Sequence, residues 1–177
     1  MSELSPIFQT LEDRDNPDEV EQHGPYQSEI SHWLGKGYYF WDRNITRAHW
    51  WGRKWYKGNP YIICQAKAVF EKESFFDLYD NPEHWEFFEQ YAQKLKAKFH
   101  KDNLRASFIL RDMREKGNFP FKIMRVETPD CGGDQRYYFN GHSFLNTNKA
   151  IQLCIYDKSL IHDYHIVYPT DYTIPIG

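Results

Sequence analysis

A glycine-containing turn, four aromatic residues and a short amphipathic helix follow one another over residues 34–51. Gly35 and Gly37 let the backbone turn sharply and let a flat group approach it closely. The aromatic run over residues 38–41 predicts a strand that carries a large side chain on each face. The chain is therefore constrained to place a turn, an aromatic strand and a helix directly against one another.

The helix that follows this strand is predicted to begin after Asp42 or Asn44, since either side chain can cap it. We expect Tyr39 from the strand and Trp50 from the helix to face each other as two aromatic walls. Such a slot suits a flat, positively charged ring through stacking and cation–π attraction. A simpler interpretation is a turn, a buried strand and a core helix with no ligand.

This segment resembles the second conserved motif of ADP-ribosyltransferases of the diphtheria-toxin and poly(ADP-ribose) polymerase branch. That motif reads Gly-Lys-Gly-x-Tyr-Phe and is followed by a helix with Ala-x-Tyr. The matching residues here are Gly35, Lys36, Gly37, Tyr39, Phe40 and Ala48, and Trp50 stands where the second Tyr is expected. The resemblance implies that Gly37 lies at the NAD site and that Tyr39 and Trp50 clamp the nicotinamide ring.

Length and charge narrow the class of protein. The 177 residues suggest a single domain over 1–177, and the net charge of −3 gives no argument for broad nucleic-acid binding. The three cysteines lack metal-ligand spacing, so no metal site is expected, and Cys64 and Cys154 fit buried core positions. An odd cysteine count and the lack of any membrane-length apolar run predict a reduced, cytoplasmic protein without membrane contact.

Periodicity and turn signals predict an α+β fold with short strands in two small mixed or antiparallel sheets and helices at the edges. We expect an ADP-ribosyltransferase-like arrangement around an NAD cleft. Expected helices are a turn after Asn16-Pro17, Ile45–Trp55, Glu83–His100 and Leu104–Lys116. Expected strands are residues 5–10, 38–41, 61–70, 75–78, 121–127, 136–139, 151–156 and 164–168.

The end of the chain contains a second feature of interest, the strand segment 151–156 with Gln152 as its one polar residue. In ADP-ribosyltransferases a Glu, sometimes a Gln, stands at the head of such a strand. The resemblance therefore assigns Gln152 to catalysis together with Tyr39, and to a hydrogen bond with the nicotinamide ribose. It also implies that the preceding loop, Asn140–Lys149, contacts the acceptor. Alternatively, Gln152 is a solvent-facing residue of an edge strand.

The first motif of the family, usually His-Gly-Thr or an Arg-bearing strand, is the least well matched. The usual interval before Tyr39 leads to Gln9 and Thr10, which would then bind the NAD ribose and amide. His23 is an alternative, but it lies too near Tyr39 in sequence, and a third interpretation is that the motif is absent. Small bacterial proteins with this fold also share a similar Trp33–Trp41 segment, an Asp77–Leu78 pair and a similar Ile151–Ile155 strand, so that the resemblance covers residues 31–168.

The resemblance implies an NAD-dependent mono-ADP-ribosyltransferase, a glycosyltransferase that consumes NAD and transfers ADP-ribose to a protein or nucleic-acid acceptor. Gln in place of Glu at residue 152 argues against chain elongation. Small members of this kind are often toxins of toxin–antitoxin or phage-defence systems, so an antitoxin protein is a candidate partner.

Two other functions fit the same sequence. The first is a catalytically inactive fold of this family that binds a partner, since the usual His and Glu are absent. The second is a nucleic-acid-binding module that interleaves aromatic and basic side chains. Its candidate residues are Trp33, Trp41, Trp51, Trp55, Arg43, Arg47, Arg53 and Lys54.

Overall fold

The computed structural model describes residues 1–29, 32–117, 119–128 and 132–173. Within these ranges the chain forms four α-helices and nine strands. The helices are α1 (Pro17–His23), α2 (Ile45–Trp55), α3 (Pro82–Phe99) and α4 (Ala106–Lys116). The strands are β1 (Ser2–Glu12), β2 (Tyr38–Asp42), β3 (Tyr61–Phe70), β4 (Phe75–Asp77), β5 (Ile123–Glu127), β6 (Arg136–Asn140), β7 (Ser143–Asn146), β8 (Ile151–Ile155) and β9 (Ile161–Tyr168). The predicted α+β class is confirmed, but the two sheets are not both small, since one has seven strands and the other two.

The larger sheet has seven strands in the order β4-β5-β8-β2-β1-β3-β9, and β6 with β7 forms a separate two-stranded sheet. In the seven-stranded sheet, the neighbouring strands β1 and β2 pair at only two positions, Ile7 with Asp42 and Phe8 with Trp41. Beyond Phe8, β1 continues against β3 as far as Glu12, while β2 pairs with β8. The two central strands therefore separate, and a split opens in the middle of the sheet.

Helices cover one face of the sheet on both sides of this split. On one side, α2 packs through Ala48 and Trp51 against Phe8 and Trp41. On the other side, α3 and α4 cover β4, β5 and β8 in a core that includes Phe76, Met124, Cys154, Leu95 and Met113. The opposite face carries a further core centred on Ile7, Phe40 and Leu153, and α1 packs there through Val20.

Local signals explain where α2 and α3 begin. Asn44 caps α2 by accepting a hydrogen bond from the Arg47 backbone nitrogen at 3.1 Å, and Asn81 caps α3 in the same way through Glu83. Pro82 occupies the first turn of α3, where its missing N–H is not needed. The alternative cap, Asp42, is instead buried and accepts from Arg125.

Several sequence expectations differ from the observed elements. The segment 140–149, expected as a loop, contains β7, because Ser143–Asn146 pairs with β6 around the Gly141 turn. Strand β9 begins at Ile161, three residues before the expected start at residue 164. Its pairing with β3 contains two register shifts, and alternation of apolar and polar residues does not predict such shifts. Cys64 and Cys154 are core thiols as expected, and burial raises the pKa of each to about 12; Cys131 lies outside the described residues.

Across the described part of the chain, no helix is both long and apolar enough to cross a bilayer.

Candidate functional site: an aromatic cleft at the split of the sheet

A cavity of about 570 Å³ occupies the split between β1 and β2, on the face that carries α2, α3 and α4. Small-molecule sites commonly have volumes of this order. Its aromatic lining residues are Phe8, Tyr26, Trp33, Tyr39, Phe40, Trp41, Trp51, Trp55 and Tyr56. Its polar lining residues are Gln9, Thr10, Gln27, Ser28, His32, Thr128 and Gln152. Among the described residues, no Asp, Glu, Lys or Arg lines the cavity, so the site is an aromatic cleft without carboxylate, ammonium or guanidinium groups.

Strand register places Tyr39, Trp41 and Gln152 on the floor of the cleft. Trp41 lies directly opposite Gln152 in the antiparallel β2–β8 pair, and directly opposed side chains share a face. Tyr39 lies two residues before Trp41 and therefore points to the same side. The structure thus brings together the two residues that the sequence assigned to catalysis.

The orientation of the Gln152 amide is fixed by Trp33. The Trp33 indole Nε1 lies 2.9 Å from Gln152 Oε1, and an indole N–H can only donate. The amide oxygen is thereby engaged, and the amide NH₂ is left to act as a donor. Within the described residues nothing accepts a hydrogen bond from it, so Gln152 offers an N–H group to a molecule in the cleft.

Trp33 is held in turn by the backbone of the residues that follow it. The Tyr39 hydroxyl accepts from the Leu34 N–H and donates to the Gly35 carbonyl, both at 2.9 Å. The Leu34 carbonyl accepts from the Arg114 guanidinium and the Tyr156 hydroxyl, both at 3.0 Å. Burial raises the pKa of Tyr39 well above its usual value, so the phenol stays protonated and keeps this donor role.

The glycines of the turn serve packing within the protein. Gly35 has a φ of +87°, which favours glycine, and a Cβ there would collide with the Arg114 guanidinium. A Cβ at Gly37 would overlap the Cys154 Sγ. Gly37 was expected at the NAD site, but its lack of a side chain lets the turn lie directly on β8.

Gln9 and Thr10, the expected first motif, lie at the cleft edge with their polar atoms already bonded. Gln9 Oε1 accepts from the Tyr26 N–H at 3.1 Å and from the Tyr164 hydroxyl at 2.9 Å, while its Nε2 donates to the Tyr26 carbonyl at 2.9 Å. Thr10 Oγ1 donates to the Ala48 carbonyl at 3.0 Å. Gln9 therefore fixes the Tyr26 segment against the split sheet, and Thr10 fixes α2 to β1. The alternative, His23, is exposed and does not line the cleft.

Trp50 is not brought to the cleft, so the expected Tyr39–Trp50 slot is not formed. Its ring packs on Gly133, with the Arg47 guanidinium 5.3 Å and the Lys54 ammonium 4.6 Å from the ring centre. Residues 47, 50 and 54 share one face of a helix because they are three and four positions apart. That face is turned toward the loop before β6, and the neighbouring face carries Trp51 to the cleft.

Sequence reasoning did not assign Trp33, Trp51 and Trp55 to the aromatic walls of the cleft that also contains Tyr39. The spacing of Trp51 and Trp55 by four residues was the available signal, since it places both rings on one helix face. In the sequence analysis, Trp51 and Trp55 were candidates only for nucleic-acid binding, and Trp33 was named there and in the segment shared with small bacterial proteins. Two members of that set are unavailable to a ligand outside the protein, because Trp41 is 5% exposed and Arg47 is fully buried.

Arg47 anchors α2 beside the strand that carries Gln152. Its Nε donates to the Asn148 carbonyl at 2.9 Å, and its Nη atoms bond the Gly132 carbonyl, the Asn148 carbonyl and the Asp134 carboxylate. Asn148 lies just before β8, so this cluster ties helix and strand together at the cleft. In the described part of the chain, no group of three or more His, Cys, Asp or Glu side chains is arranged to hold a metal ion.

Comparisons of the chain with protein-family models, with curated proteins and with solved structures give no match.

Proposed function

We propose that this cleft binds the nicotinamide end of NAD and that the protein is an NAD-dependent mono-ADP-ribosyltransferase. The observation that carries the proposal is the fixed Gln152 amide, which presents its N–H group in an aromatic cavity that it shares with Tyr39. The resemblance of the Gly35–Phe40 and Ile151–Ile155 segments to the family motifs supports the same assignment.

The nicotinamide ring of NAD is flat and positively charged, which matches the lining of the cleft. Aromatic faces attract such a ring by cation–π interaction, and the attraction is stronger where water is displaced. Tyr39, Trp33 and Trp51 supply aromatic surfaces here. After the bond to ribose breaks, nicotinamide is neutral and loses this attraction, which favours its release.

In the proposed reaction the bond between ribose C1 and the nicotinamide nitrogen breaks, and the electron pair stays on nicotinamide. An oxocarbenium-like ribosyl cation forms, a nucleophilic nitrogen or oxygen of the acceptor bonds to C1, and the acceptor loses a proton. Gln152 would donate to a ribose hydroxyl oxygen and hold the sugar in place. Because Gln carries no charge, it stabilises the cation less than a carboxylate would.

Nicotinamide release from NAD, measured by chromatography, tests this proposal. Gln152→Ala is expected to lower kcat with a smaller effect on KM, because the interaction matters most as the bond lengthens. Gln152→Glu is expected to keep or raise the rate, since one carboxylate oxygen can still accept from Trp33 while the other faces the ribose. Equal turnover by the Ala variant and the wild type would refute the role of Gln152.

A second candidate function is a catalytically inactive member of this fold that binds a ligand or partner. The observation that favours it is the engagement of Gln9 and Thr10 in bonds within the protein, which leaves no free polar group at the expected first motif. Calorimetric binding of NAD without nicotinamide release would support this candidate over the enzyme.

A further inference from the structure

The outer face of Trp55 forms a stacking surface at the mouth of the cleft. The proposed NAD chemistry assigns no role to this surface. Trp55 stacks on Trp51 with ring centroids 5.0 Å apart and planes within 7° of parallel. Both rings line the cleft, yet Trp55 is 62% exposed. Because Trp51 covers one face of the Trp55 ring, the other face is open to a planar ligand.

This surface, which we call the Trp51–Trp55 platform, rests on the protein core. The Trp51 ring contacts the ring of buried Trp41, with centroids 6.0 Å apart, and Trp41 packs with Phe8 and Ala48. The platform is therefore held rigidly, and a ligand that stacks on it orders few side chains on binding.

Exposed cations adjoin the platform on the α2 side. Residues 43–70 contain six Lys or Arg, of which Arg43, Arg47 and Lys67 are paired with Asp42, Asp134 and Asp163. Arg53, Lys54 and Lys57 flank Trp55 in sequence and are exposed. On the β1 side, the carboxylate of Glu12 is paired with Arg14 at 3.0 Å. A polyanion that stacks on Trp55 would thus run along the end of α2.

We propose that the Trp51–Trp55 platform binds an unpaired base of a single-stranded nucleic acid and that this nucleic acid is the acceptor of ADP-ribose. The second part rests on the proposed function. Stacking on aromatic rings accepts any base, and nearby cations hold the phosphates, a combination typical of single-strand binding. The positive rim of the cleft favours this acceptor over a basic protein. A nitrogen or oxygen of the base would bond to ribose C1 as nicotinamide leaves, and the base would lose a proton.

Binding is tested first without NAD, by fluorescence anisotropy of labelled DNA and RNA strands of about 12 nucleotides, within known site sizes. Trp55→Ala is expected to weaken binding at least about fivefold, the lower end for loss of one stacked base. Trp85→Ala is the matched control, because Trp85 is also exposed, at 48%, but lies on α3 beside Glu86 and Glu89. Absence of binding, or equal losses in both variants, would overturn the proposal.

Salt dependence tests the phosphate contacts separately. Changing Lys57 to Gln should reduce the slope of log K against log salt concentration by about 0.7, the value for one single-strand phosphate. Changing Lys101 to Gln removes the same charge from an exposed position beyond α3 and should leave the slope unchanged. Equal slopes for the two variants would contradict the assignment.

The acceptor role is tested by mass spectrometry of the strand after incubation with wild-type protein and NAD, with nicotinamide release measured in parallel. We expect the strand to gain the mass of an ADP-ribosyl group. Nicotinamide release without strand binding would refute the platform and leave the transferase proposal standing. Strand binding without nicotinamide release would refute the transferase proposal and the acceptor role but keep the platform.

Discussion

Replacing Trp33 with Phe should show whether its indole sets the orientation of the Gln152 amide. The bond from Trp33 Nε1 to Gln152 Oε1 is 2.9 Å long and joins two neutral, half-buried groups. Such a bond contributes about 0.5–1.5 kcal/mol to the free energy of unfolding. With Gln152→Glu the acceptor is ionised, and the bond becomes roughly twice as strong.

We therefore expect Trp33→Phe to cost about 1 kcal/mol more in the Gln152→Glu background than in the wild type. The apolar area lost with the indole is the same in both backgrounds and cancels in the double-mutant cycle. The measurement is urea unfolding of the four proteins at neutral pH, with unchanged m-values as the check on two-state behaviour.

Trp85→Phe provides the control for this cycle. The Trp85 indole donates to the Leu78 carbonyl at 3.0 Å, not to residue 152. Trp85→Phe should therefore lower the free energy of unfolding equally with Gln or Glu at position 152. If Trp33→Phe also cost the same in both backgrounds, the oxygen of residue 152 would not face Trp33. The amide would then present its carbonyl to the cleft, and the proposed donor role would be wrong.

Three further predictions follow from other parts of the structure. Arg47→Met should lower the free energy of unfolding by about 3–5 kcal/mol, because it removes the hydrogen bonds of the fully buried guanidinium to the Asn148 and Gly132 carbonyls and its ion pair with partly exposed Asp134. The exposed Arg53→Met should cost only about 0.5 kcal/mol in the same urea titration. His84 accepts the Asp77 N–H through Nδ1 at 2.9 Å, and burial lowers its pKa. Its contribution to stability is therefore present above the unfolded-state pKa of about 6.5 and lost as the pH falls below it. The urea midpoint should drop less between neutral and mildly acidic pH in His84→Gln than in wild type, and an equal drop would contradict the bond. If the chain is a toxin, its expression should arrest bacterial growth, and Gln152→Ala at equal protein level should relieve the arrest; equal growth curves would count against the toxin role.

Elements with strong local signals could be predicted from the sequence alone. The bounds expected for α2 and β3, residues 45–55 and 61–70, are those observed. Asn44 marks the start of α2, and Asn59-Pro60 separates it from a continuous apolar run that suits a buried strand. The presence of Tyr39 and Gln152 in one site also agrees with the expectation drawn from the family motifs, and this pairing is visible in the sequence only through that resemblance.

Features that depend on contacts distant in sequence were decided by the tertiary structure. Strand β7 forms because it finds β6 as a partner, which its own four residues do not indicate. The family resemblance assigns Gln9 to the NAD site, but in the structure its amide bonds the backbone N–H and carbonyl of Tyr26, 17 residues away.

The sequence also could not decide whether Trp50 or Trp51 faces the cleft. A helix pattern tells which residues share a face, but the rotation of the helix about its axis is set by what it packs against. Here the buried Arg47 bonds the Asn148 carbonyl 101 residues away, and Ala48 packs on the sheet. These two contacts turn Trp50 toward Gly133 and Trp51 toward the cleft, because a side chain one residue further along the helix points about 100° away.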